Sequence, residues 1–123
     1  MSPRADVAWY LTIDAVDVGK KAIVLVASGR IGGATSAHLA RALTGAIDQG
    51  CHGIVLDLEG VDYISSAGLR ELASAAARLH GVGGQLILCG IRGPVKRAIE
   101  LAGSPAHVSI EAARHDAIAR LVG

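Results

Sequence analysis

The sequence contains no phenylalanine, and one tryptophan and two tyrosines make up its aromatic complement. A single-stranded nucleic-acid platform stacks bases on several rings, so that class of function is excluded at the outset. Charge is equally sparse. Twelve basic residues oppose eleven acidic ones for a net of +1, which leaves no electrostatic footprint for nucleic acid or an anionic membrane. No uninterrupted apolar run approaches bilayer-spanning length, and the opening MSPRADVAWY lacks the basic-then-apolar order of a signal peptide. The two cysteines, Cys51 and Cys89, match no metal-binding spacing. Each reads as a small buried hydrophobe rather than half of a disulfide. The five histidines, at 38, 52, 80, 107 and 115, show no ligand spacing either. These absences lead to the expectation of a soluble, cytoplasmic protein with no direct membrane insertion and no nucleic-acid partner.

What is present is a core-forming composition: hydrophobic residues are 51% of the chain and charged ones 19%, which suits one globular domain over 1–123. VAWYLTI (7–13) and AIVLVAS (22–28) read as strands, with DVGKK (17–21) as the turn of a hairpin. After the glycine-rich GRIGGATS, Leu39, Ala42, Leu43, Ala46 and Ile47 recur at helical spacing until Gly50. GIVLDL (53–58) and QLILCG (85–90) are near-continuous apolar runs, as expected of strands covered on both faces. Between them Leu69, Leu72, Ala73, Ala76 and Leu79 line one face of a second helix, ended by GVGG. Pro94 suits the first turn of a third helix with Val95, Ala98, Ile99 and Ala102 inward. HVSI (107–110) reads as a short last strand, and a final helix turns Ile110, Ala113, Ile118 and Leu121 inward. The expected fold class is α/β: a mixed, mostly parallel sheet of four to five strands with an N-terminal hairpin, packed with about four helices.

Parallel strands joined through helices bring their β-to-α loops to one edge of the sheet, where such folds bind ligands and partners. Three loops qualify: 28–36, 60–68 and 89–94. Together they offer Arg30, Thr35, Ser36, Asp62, Ser65, Ser66 and Arg92. Arg92 with Lys96 and Arg97 forms a small basic cluster that reads first as a solvated helix face.

The adjacent serines have three readings. A serine at a helix start caps it, accepting a bond from an otherwise unpaired N–H for about 1 kcal/mol. One capping serine suffices, and there are two. A nucleophile elbow would need glycine at position 64, which is isoleucine, so a serine hydrolase is disfavoured. A phosphate acceptor is the third reading, because a helix N-terminus tolerates an anion and the added charge would act on a docking partner.

The string DLEGVDYISSAGL, flanked by GRIGGATSAHLARAL and PVKRAIELAG, is similar to the STAS domain of bacterial anti-sigma factor antagonists. The resemblance implies a non-enzymatic regulatory module that binds an anti-sigma factor, a serine kinase with a GHKL-type ATP site. It is inactivated when that kinase phosphorylates a serine in the 62–68 loop and restored by a PP2C-type phosphatase. ATP and metal belong to those enzymes, so no cofactor is expected in this chain. Many members carry Asp-Ser-Ser-Gly where this chain has Ser65-Ser66-Ala67-Gly68. With the acceptor taken as the serine directly before the glycine, its place is held by Ala67, Ser66 matches the preceding serine, and Ser65 replaces the aspartate. Ser66 is therefore the first candidate acceptor and Ser65 the second. Gly32 stands where relatives often carry an acidic residue, so no contact through that carboxylate is expected. The implied partner-binding edge comprises Arg30, Thr35, Ser36, Asp62, Ser65, Ser66, Ala67, Gly68 and Arg70. The alternative is a STAS module that binds constitutively, without phosphorylation, as a signalling scaffold or an accessory subunit of a lipid ABC transporter.

Overall fold

The structure, a computed structural model, describes residues 10–122. Five strands form one sheet in the order β1-β2-β3-β4-β5, which is also their order along the chain. The first two, β1 (Leu11–Gly19) and β2 (Ala22–Ile31), are antiparallel across a turn at Lys20 and Lys21, with Lys21 at φ 60°. The remaining pairs are parallel: β2 with β3 (Gly53–Ile64), β3 with β4 (Gln85–Cys89), and β4 with β5 (Val108–Glu111). Helices α1 (Ser36–Asp48), α2 (Ser66–Gly81) and α3 (Gly93–Ala102) supply the crossovers, and α4 (Arg114–Val122) ends the chain.

Strand alternation divides the core between the two faces. Ile54, Leu56 and Leu58 join Leu39 and Leu43 of α1, Leu72, Ala76 and Leu79 of α2, and Val95 and Ile99 of α3 in one large cluster. Val24, Val55, Ile87 and Cys89 face the other way and meet Ala117, Ile118 and Leu121 of α4. The central strands are thus covered on both sides, which explains their unbroken apolar runs.

Several boundaries differ from the sequence expectation. Strand β1 begins at Leu11 and continues through Gly19, so the expected run 7–13 is displaced, with residues 7–9 outside the described part. Residues 14–17 are exposed yet paired to β2, from Asp14 opposite Val26 to Asp17 opposite Ile23. An edge strand with a solvated face shows no apolar alternation to read, and the expected turn DVGKK (17–21) overlaps the strand's last three residues, 17–19. Strand β3 runs to Ile64, well past residue 58, while β4 pairs with it only as far as Asp57. Beyond that point β3 continues through two bulges with β2 alone beside it, while β1 still flanks the far side of β2 as far as Gly29; past it Arg30 lies opposite Tyr63 and Ile31 opposite Ile64. In the last helix the buried contact is Ala117, whereas Ile110 lies on the edge strand β5 and is exposed, and Ala113 precedes the helix. In α2, Ala75 is buried while Leu69 and Ala73 are only partly so.

The two cysteines are free. Burial pushes the Cys89 thiol up to about 11, with the negative charge of Asp57 adding to it, Arg114 opposing, and Glu59 raising it slightly further. A raised folded-state value favours the neutral thiol. Stability is therefore full below the ordinary value of 9 and falls as the pH climbs toward 11, because the unfolded chain releases its proton first. Iodoacetamide at pH 8 should leave Cys89 unmodified in the native protein, and Cys51, which is only partly buried, should react before it. The loss of denaturant resistance between pH 9 and 11 should shrink in Cys89→Ala. An unchanged loss would assign that loss to other groups.

Candidate functional site

The end of the β2–β3 ribbon and the start of α2 bring most of the expected residues together. The Ser65 N–H donates to the Ile31 carbonyl at 2.8 Å, joining the third strand's exit to the second's. In the β2–α1 turn the Thr35 hydroxyl donates to the Arg30 carbonyl at 2.6 Å and accepts from the Gly32 N–H at 2.9 Å. Thr35 precedes α1 as expected of a helix start, but its hydroxyl closes the loop and makes no cap bond to the helix. Ser36 begins α1 and reaches back to the Gly33 carbonyl at 3.5 Å. The Arg30 guanidinium carbon lies 4.4 Å from the Tyr63 ring centre, a cation–π contact across the two strands.

The two serines have different surroundings. Ser65 is the N-cap of α2: its backbone is extended and its hydroxyl accepts from the Gly68 N–H at 3.2 Å. Ser66 is the first helical residue, is exposed, and its hydroxyl makes no hydrogen bond to the described residues. The cap reading therefore accounts for Ser65 and leaves Ser66 over. Ala67 is partly buried. Arg70 is exposed and stands four residues after Ser66, on the same helix face.

Gly68 fixes how closely α2 approaches the ribbon. A Cβ at this position would come within 2.6 Å of Ile31 Cγ2 and 2.8 Å of Ile64 Cγ1, both side chains buried at the strand ends. Overpacking of this kind costs about 1–3 kcal/mol, more than the roughly 1 kcal/mol that alanine gains over glycine in a helix. Gly68→Ala should lower the thermal midpoint and displace the Ser65–Ser66 turn. Equal or greater stability would show that the strand ends yield freely.

Two expected residues are placed differently from the sequence reading. Asp62 lies on strand β3 itself rather than in a loop. Arg92 turns onto β3, donating from Nη2 (2.8 Å) and Nε (3.2 Å) to the Glu59 carbonyl. There it borders a cavity of about 390 Å³ together with Asp57, Gly90 and Arg114. It is tied to β3 there, away from the exposed Lys96 and Arg97 of α3. Asp57 was missed in the sequence as a feature of interest. Its carboxylate is buried, accepts from the Glu59 N–H at 3.0 Å and pairs with Arg114 Nε at 2.7 Å. A lone aspartate inside GIVLDL was the available signal, since a buried charge requires a partner.

Among the described residues no group of three potential metal ligands occurs, and no helix is long and apolar enough to cross a membrane. Among the described residues no histidine or carboxylate is hydrogen-bonded to the Ser65, Ser66, Thr35 or Ser36 hydroxyl. The site's chemical content is a hydroxyl with no hydrogen bond to the described residues, at a helix N-terminus where an anion is favoured, with Arg70 one turn on along the same helix.

Comparison with known proteins agrees with this geometry. The STAS domain family model matches residues 14–117. A candidate anti-sigma factor antagonist of Bordetella bronchiseptica, BtrV, is 36% identical over 93 residues, covering 76% of this chain and 78% of that protein. The crystal structure of an anti-sigma factor antagonist from Mycobacterium paratuberculosis superposes with a TM-score of 0.81 at 25% identity, over 93% of this chain and 96% of that one. The fold is shared as well with the Bacillus cell fate determinant SpoIIAA in its phosphorylated form (TM-score 0.69, 19% identity, 89% and 98% covered). The chain belongs to the STAS domain family.

Proposed function

We propose that this protein is an anti-sigma factor antagonist whose docking edge is switched by phosphorylation of Ser66. The observation that carries the reading is the division between the serines: Ser65 is consumed by the helix cap, whereas Ser66 is exposed and its hydroxyl makes no hydrogen bond to the described residues. The names of the relatives support the antagonist role, and one structural neighbour exists in a phosphorylated form.

In this reading the anti-sigma factor, a GHKL-type serine kinase, binds across Arg30, Thr35, Ser36, Asp62, Ser65, Ser66, Ala67, Gly68 and Arg70. It transfers the γ-phosphoryl group of ATP to Ser66 Oγ, which loses its proton while ADP departs. A PP2C-type phosphatase returns the hydroxyl by hydrolysis, releasing inorganic phosphate. The nucleotide and metal stay with those enzymes. The local structure suits the modification: α2 has no acidic residue in its first turn, so a phosphate meets the helix dipole without a competing charge. Arg70 is the nearest cation on the same helix face.

Intact mass with site localisation on the protein from its own host, before and after PP2C treatment, tests the reading. A removable phosphate on Ser66 is expected. A single unmodified species under every growth condition would sink the switch and leave a constitutive docking module, scaffold or transporter accessory, in its place.

A further inference from the structure

Helix α3 and the end of β3 bound a groove of about 800 Å³, lined among others by Tyr63, Ile64, Pro94, Arg97 and Leu101. The helix fully buries only Val95 and Ile99, and its Pro94, Ala98 and Leu101 line the groove. Leu101 is 82% exposed, the most of any large hydrophobic residue described, and Tyr63 beside it is exposed too. Single exposed leucines are common, but an apolar cluster with a polar rim marks an interaction site.

The rim is positively charged. Lys96 and Arg97 belong to the lining, and Arg30 stacks over Tyr63 at 4.4 Å, against one lining carboxylate, Glu100. That local excess occurs in a chain whose total charge is only +1. Tyr63 and Ile64 lead directly into Ser65 and Ser66, so Ser66 is two residues, or about 7 Å of chain, from the groove wall. This is inside the screening length of roughly 8 Å at physiological salt.

We propose that this groove receives an acidic segment of the partner protein, anchored by an apolar side chain against Tyr63 and Leu101. A Ser66 phosphate then acts on the segment by like-charge repulsion. The identity of the partner rests on the antagonist reading; the groove and its charge preference do not. Arg30 gains a role here as well: its cation–π contact holds Tyr63, one wall of the groove.

The probe is a library of random twelve-residue peptides displayed on phage, selected on the full chain, with winners synthesised and measured by fluorescence anisotropy. The expected winners carry Asp or Glu within three residues of Leu, Ile or Phe, and weaken on raising salt. Arg97→Glu and Leu101→Asp should each lower affinity at least tenfold with unchanged thermal midpoints, since both side chains are solvent-exposed, and Ser66→Asp at least fivefold. Winners that are basic, winners indifferent to both groove variants, or capture only by vesicles containing phosphatidylserine would overturn the groove assignment. Peptides that respond to Arg97→Glu and Leu101→Asp but ignore Ser66→Asp would support the groove and overturn its coupling to the serine. The phosphate measurement on Ser66 stands apart from all of these outcomes.

Discussion

Ser66→Asp should lower affinity for the anti-sigma partner about a hundredfold, while the thermal midpoint moves by no more than about 2 °C. The binding loss follows from a charge placed in a docking edge, where like-charge contact or an unpaired buried carboxylate costs several kcal/mol and each 1.4 kcal/mol is tenfold. The small stability change follows from position. Residue 66 opens α2, whose first turn has no acidic group, and an anion there contributes about 0.3–1 kcal/mol in the helix's favour. Arg70, one turn on, can add an i,i+4 pair of a few tenths of a kcal/mol. Ser66→Ala should bind like the wild type and accept no phosphate. Ser65→Ala separates the two roles: it removes the cap bond to Gly68 and should cost about 1 kcal/mol, yet leave the acceptor intact. Isothermal titration with the purified partner and thermal melts of the three variants decide the matter. If Ser66→Asp binds as tightly as the wild type, charge at this position is not the switch. If it unfolds the domain, the free hydroxyl seen here has a structural part that the geometry does not account for.

The alternation of helix stripes with apolar runs was enough to read the parallel sheet, the hairpin and the sheet edge carrying the loops. Buried strands such as Ile54–Leu58 leave no other option, because both faces are covered. Features that depend on solvated or distant surroundings were less legible. The turn was read over DVGKK (17–21), although β1 runs on to Gly19, because the exposed face of an edge strand imposes no pattern. Residues 59–64, with glycine and aspartate, looked like a loop although they pair with β2 through two bulges. The distinction between Ser65 and Ser66 was out of reach for a different reason. Both are plausible caps in sequence, and only the bond from Gly68 to Ser65 Oγ separates them. The pairing of Asp57 with Arg114, 57 positions apart, could not be read either, although the buried aspartate announced the need for one.

That pair carries the largest expected stability effect. Arg114→Ala should destabilise the protein by about 2–3 kcal/mol, at or below the low end of what is lost when one partner of a buried ion pair is removed. The value is modest within that class for two reasons. Arg114 is 47% exposed, so solvent already weakens the pair, and Asp57 keeps its bond from the Glu59 N–H. What remains costly is Asp57 itself, 5% exposed and left without a counter-ion. The position of Arg114 argues that the pair is the reason for the residue. It is the first residue of α4, where the helix dipole disfavours a cation. At nine residues α4 is too short to persist alone, and it is held by this contact together with Ala117 and its neighbours on the sheet. Losing the pair should therefore raise amide exchange in α4 more than in α1 or α2. Asp57→Asn should cost less than Arg114→Ala, because the amide oxygen can still accept from Glu59 and no charge is stranded. The double variant should be more stable than the sum of the singles predicts, by at least 1 kcal/mol in a denaturant-based double-mutant cycle. Simple additivity, or uniform exchange across all four helices, would mean that the pair is a bystander and that apolar packing alone seats α4.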